Sequence, residues 1–125
     1  MAGHIPEYIR EHGPLQADLR LVRLAEEVQS LRREPAWQRG EHTARTLVKQ
    51  GDLRVVLTVM RARTSLKQHR AEGAVTIHCS DGRMQVGAAG RLLELQAGDL
   101  IALDSGVEHS VEALADCAFL LTIAQ

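Results

Sequence analysis

Between residues 14 and 35 the apolar side chains Ala17, Leu21, Leu24, Val28 and Leu31 recur at intervals of four, three, four and three, the spacing of one face of an α-helix. The stripe predicts a helix of about five turns. Gly13 and Pro14 suit its start. Pro35 ends it, because proline lacks the N–H that a helix needs and biases Glu34 away from helical dihedrals. The apolar stripe is expected to pack against this chain's own body.

After Gly40 the pattern changes. Short runs rich in Val, Leu, Ile and Thr follow one another: RTLVK, LRVVLTVMRA, AVTIHC, RMQVG, RLLEL, DLIAL, HSVEAL and CAFLLTIA. Gly, Asp and Ser separate them at close, regular intervals, as in an antiparallel sandwich or barrel. KQGDLR and SDGRMQ each set a glycine beside an aspartate between two runs, the signal of a hairpin. No helical pattern interrupts them, which argues against α/β crossovers. The chain therefore reads as residues 1–39 carrying the helix and residues 40–125 forming an all-β body of about eight strands, the number a jelly roll needs.

Composition then narrows the function. A chain of 125 residues with 45% apolar content makes one soluble domain able to bury its own core. Fifteen basic against 16 acidic side chains leave no positive excess for nucleic acid. The N-terminal stretch MAGHIPEYIREHG is charged, with no apolar run for a signal peptide or a membrane span. We therefore expect a cytoplasmic protein with no membrane partner, whose Cys79 and Cys117 stay reduced and serve as small apolar filler. The three aromatic residues, Tyr8, Trp37 and Phe119, are too few for a stacking platform for sugars or bases. Thirteen arginines against two lysines suggest coding in a GC-rich bacterial genome.

The stretch AGDLIALDSGVEHSVEA, residues 97–113, carries the chemistry. Gly98 opens a strand, five residues follow, Asp104-Ser105-Gly106 make a turn, and His109 comes after two more. This spacing resembles the second motif of the cupin family, G(X)5PXG(X)2H(X)3N, with Asp104 at the Pro position and Ala113 at the Asn position. The first motif, G(X)5HXH(X)3-4E(X)6G, anchored on Gly82, survives only at His69. Arg63, Ala71 and Val75 stand where the leading Gly, the second His and the Glu are found. The resemblance covers residues 40–125 and implies a double-stranded β-helix, a jelly-roll barrel preceded by one N-terminal α-helix.

Side chains two apart on a strand share a face. Val75, Ile77 and Cys79 then line the interior with His78 facing away, and His109, Val111 and Ala113 do so from the returning strand. The expected pocket holds His69 and His109 in a wall of Val75, Ile77, Cys79 and Val111, an apolar cavity with few polar groups of the kind that takes a small molecule. In cupins three His and one Glu hold a metal, so the resemblance implies His69 and His109 as ligands of one divalent ion of iron, manganese, zinc or nickel. Two imidazoles make a poor cage, and a third donor would have to come from Glu72, Cys79 or His42. His4 and His12 carry no expected role, and Arg32, Arg33 and Arg39 around Trp37 read as a solvated helix end.

Three functions remain open. The first is a binding module holding a small organic ligand near His69 and His109. The second is a metal-dependent oxygenase, isomerase or lyase using the same histidines. The third is an assembly role: CAFLLTIA puts Cys117, Phe119, Leu121 and Ile123 on one face and Ala118, Leu120 and Thr122 on the other, so both faces need cover. A homodimer formed by sheet packing, with the N-terminal helix contributing, is the expected assembly.

Overall fold

The computed structural model describes residues 19–125. Ala17, Gly13, Pro14, Tyr8, His4 and His12 lie outside the described residues.

The alternating runs form nine strands: β1 Thr43–Gln50, β2 Leu53–Met60, β3 Ser65–His69, β4 Ala74–Asp81, β5 Arg83–Ala88, β6 Arg91–Gln96, β7 Leu100–Leu103, β8 His109–Ala113 and β9 Cys117–Ala124. They pair, antiparallel throughout, into a five-stranded sheet of order β1-β2-β9-β4-β7 and a four-stranded sheet of order β3-β8-β5-β6. Inward positions of both sheets, among them Met60, Ile77, Met84, Val86, Val111 and Phe119, form one buried core. All eight expected runs are strands. The ninth, β3, has the sequence SLKQH with Leu66 as its one apolar residue, so it carries no alternation to read. Pairing with β8 holds it in place.

The expected five-turn helix is shorter. Helix α1 spans Leu24–Leu31, and residues 19–23 run without helix, with burial alternating between neighbours. Leu21, counted on the apolar stripe, is 68% exposed, while Val22 packs against the buried cluster of Leu31, Trp37, Leu47, Leu57, Val59 and Ala118. The start at Leu24 puts Glu26 and Glu27 in the first turn, where carboxylates face the positive end of the helix dipole. Pro35 ends α1 and also begins a second short helix, α2, Pro35–Gln38, as a proline at the first helical position can.

Both helices cover the outer face of β1, β2 and β9, so Ala118 and Leu120 of β9 pack under this chain's own helix while Cys117 and Phe119 face the barrel. Arg45 of β1 pins the cover, donating to Glu27 at 3.0 Å, Ser30 at 3.1 Å and Glu34 at 2.8 Å. Of the arginines expected around a solvated helix end, Arg33 and Arg39 are exposed, but Arg32 is half-buried. Trp37 is buried with the Arg32 and Arg61 guanidiniums 5.0 and 4.7 Å from its ring centroid, and Arg32 also bonds Asp81 at 2.8 Å.

KQGDLR makes the expected β1–β2 hairpin. SDGRMQ does not: β4 and β5 belong to different sheets, and Asp81-Gly82 carries the chain from one to the other. The crossing is tight. Gly82 has φ +80°, and a Cβ there would run into the Asp116 carbonyl and lie 2.8 Å from Cys117 Cα. Gly90, in the β5–β6 turn, has φ +73° with nothing within 4 Å of that position. Gly90→Ala should therefore cost about 1 kcal/mol, the strain of a left-handed residue alone. Gly82→Ala should cost about 2–4 kcal/mol, since the backbone must also move. Equal losses in denaturant unfolding would contradict the close approach.

Candidate functional site

His109 opens β8 facing inward. His109, Val111 and Ala113 are buried while Ser110 is half-buried and Glu112 exposed, the parity of a strand with one face on the core. Its neighbours across the sheet are His69 on β3 and Ala88 on β5.

His69 reaches this position through an irregularity. Leu66 pairs with Val111 and His69 with His109, so three residues of β3 span what two of β8 span. In a regular strand residues 66 and 69 would point to opposite faces. The bulge adds one residue and turns His69 onto the same face as Leu66. The two imidazole centroids lie 4.2 Å apart, edge to face at 63°. His109 is 2% exposed, and His69 is exposed, so one ring is inside the barrel wall and the other at its mouth.

The loops that hold the pair are stapled together. Ser105 Oγ donates to the Glu72 carbonyl at 2.6 Å, and Gly106 N–H donates to the Ala71 carbonyl at 2.9 Å. Asp104 Oδ1 accepts from the Ser105 N–H at 2.8 Å, and the Asp104 carbonyl accepts from the Val107 N–H at 3.3 Å, which closes the turn before β8.

Each imidazole is oriented by the carbonyl two residues before it: His69 Nδ1 lies 3.1 Å from Lys67 O, and His109 Nδ1 lies 3.2 Å from Val107 O. A carbonyl only accepts, so Nδ1 carries the hydrogen in both rings. In the neutral form Nε2 is then a bare lone pair. His109 Nε2 is buried with no hydrogen-bond partner among the described residues. Burial pushes the His109 pKa below its ordinary value, with the Val107 contact opposing and the nearby His69 adding to the shift.

The other expected site residues are placed as follows. Val75, Ile77 and Val111 are buried in the barrel core, with Ala71, Leu103 and Val107 packed against it. Cys79 is buried as well, but four residues beyond Val75, about 13 Å along β4. It sits at the other end of the barrel, where its thiol contacts the carbonyls of Asp81 at 3.6 Å and Gly82 at 3.7 Å. Burial raises the Cys79 pKa and pushes that of Cys117 up to about 12, and both thiols are free. His42 is exposed just before β1, beside the Val59 end of β2 and so also away from the histidine pair. Glu72 is exposed, bound through its backbone.

Among the described residues no group of three or more His, Cys, Asp or Glu could hold a metal ion. The tethered Nδ1 groups suit metal ligation. The donor count does not, because only two imidazoles meet here, and a catalytic site takes at least three protein donors. These residues do not fit a divalent ion cage.

No protein-family model and no curated protein matches the sequence. Solved structures do match. A cupin-2 domain protein from Shewanella frigidimarina superposes with a TM-score of 0.67 at 16% identity, over 84% of this chain and 95% of that one. The conserved protein SPY1581 of unknown function from Streptococcus pyogenes gives 0.65 at 19%, over 69% and 75%. KdgF from Halomonas sp. gives 0.62 at 19%, over 74% and 82%. The barrel has the cupin fold. Arg63, just before β3, adopts φ +72°, the left-handed conformation glycine tolerates. No helix among the described residues is long and apolar enough to cross a membrane.

The depressed His109 pKa has a pH consequence. Above the unfolded-state value of 6.5 neither state binds the proton. As pH falls from there toward the folded-state pKa, the unfolded chain takes up a proton that the folded chain refuses, so stability is lost. His109→Gln should reduce the fall in Tm between about pH 7.5 and 5.5 relative to wild type. Identical pH profiles would contradict a buried, neutral His109.

Proposed function

We propose that this cupin barrel binds a small organic ligand at the end marked by His69 and His109. One observation carries the reading: His109 Nε2, buried and without a partner among the described residues. Such an atom costs about 1–3 kcal/mol when it is left unpaired. A cost of that kind persists where a site uses it. The aliphatic side chains of Val75, Ile77 and Val111 in the same core supply the apolar surroundings that small-molecule sites have.

The metal-dependent alternative, an oxygenase, isomerase or lyase with iron, manganese, zinc or nickel on His69 and His109, draws on the tethered Nδ1 groups but lacks a third donor among the described residues. The ligand-binding reading therefore stands first.

His109→Leu tests it, because leucine keeps the apolar bulk and removes the unpaired nitrogen. The variant should melt at or above the wild-type temperature while losing the response to ligand. In a thermal-shift screen of metabolite mixtures, at least one compound should stabilise the wild type, by about 2.7 kcal/mol at one hundred times its Kd, and not the variant. The wild type, purified without a His-tag, should carry less than about a tenth of an equivalent of metal. A stoichiometric metal that His109→Leu removes would favour the enzyme reading. A screen with no stabilising compound would end the binding reading.

A further inference from the structure

The same site also specifies what kind of group it recognises, an inference that rests on the ligand-binding reading above. Both imidazoles spend Nδ1–H on a backbone carbonyl, at 3.1 Å for His69 and 3.2 Å for His109. What each ring has left for a ligand is an acceptor. The repetition matters: two residues on different strands are held in the same orientation by the carbonyl two positions upstream, so a neutral ring at either position presents Nε2 as an acceptor.

Charge at this end points the same way. Arg70 follows His69 and Glu108 precedes His109, and the two side chains bond to each other at 2.9 Å. The arginine beside the pair thus has a carboxylate next to it, in an ion pair exposed to solvent. Within the barrel, Val75, Ile77, Ala88 and Val111 add no charge and no donor. A second proton on His109 is opposed by burial and by the neighbouring ring 4.2 Å away. An anion entering here would lose its hydration and meet the lone pair of the buried His109 Nε2. A hydroxyl on an aliphatic body would instead give its hydrogen to Nε2 of His109 and place its carbon chain among the aliphatic side chains.

We propose that the His69–His109 site recognises a neutral hydrogen-bond donor, a hydroxyl carried on an otherwise apolar small molecule, and discriminates against carboxylates and other anions. The site reads the donor through one buried acceptor, and its specificity lies in the fixed tautomer.

Three probes of matched size separate the possibilities: 1-butanol, methyl propyl ether and butyrate, each titrated into the wild-type protein at about pH 7.5 while backbone amide shifts are followed by NMR. Butanol should shift the amides of His109, Val111 and Ala88 and bind about tenfold more tightly than the ether, the worth of one hydrogen bond to a buried acceptor. Butyrate should bind more weakly than either. In His109→Leu the alcohol should lose its advantage over the ether. If the ether or butyrate binds as tightly as butanol at these amides, the donor assignment is wrong while the pocket survives. If none of the three moves them, the ligand-binding reading falls and takes this inference with it.

Discussion

A histidine taken out of water with only one ring nitrogen satisfied is the constraint around which this barrel end is organised. His109 sits between two neighbouring strands, 2% exposed, with Nδ1 bound to Val107 and Nε2 unpartnered among the described residues. An apolar side chain of similar size would avoid the desolvation cost entirely. The surrounding architecture instead keeps the ring in one orientation. The turn at Asp104–Gly106 bonds to the loop at Ala71 and Glu72, and the bulge in β3 brings His69 edge to face against it.

That orientation depends on features spread along the chain. β8 has both neighbours in place, β3 and β5, which fixes its register and hence the inward direction of residue 109. The opposite sheet is covered outside by α1 and α2, tied to it by the Arg45 bonds and by Trp37 between Arg32 and Arg61. With both faces of β9 covered by the chain itself, the sheet facing the histidine pair is a firm wall. The two thiols near the far end are part of that wall: buried, free and with raised pKa values, they act as apolar groups.

Much of the fold was legible because burial imposes a period of two. The inward parity of Val75, Ile77 and Cys79, and of His109, Val111 and Ala113, follows from alternation and agrees with their burial. Where the physics is not periodic the sequence says less. SLKQH has no alternating apolar set, so β3 was invisible, and with it the bulge that aims His69. Periodicity counted Leu21 onto a helix because spacing alone does not mark where a helix starts; the acidic first turn at Glu26 and Glu27 was the better signal. Asp81-Gly82 resembles a hairpin turn locally, and only long-range pairing shows that it joins two sheets. The cupin spacing around Gly98, Gly106 and His109 located one imidazole. The position of Cys79, a full strand away from the pair, required the register.

The central claim concerns one ring, and it can be read directly. A long-range proton–nitrogen correlation spectrum of the free protein at neutral pH reports which nitrogen of His109 carries hydrogen. The account predicts a neutral ring protonated at Nδ1, with Nε2 bare. A ring protonated at Nε2, or an imidazolium protonated at both nitrogens, would contradict it.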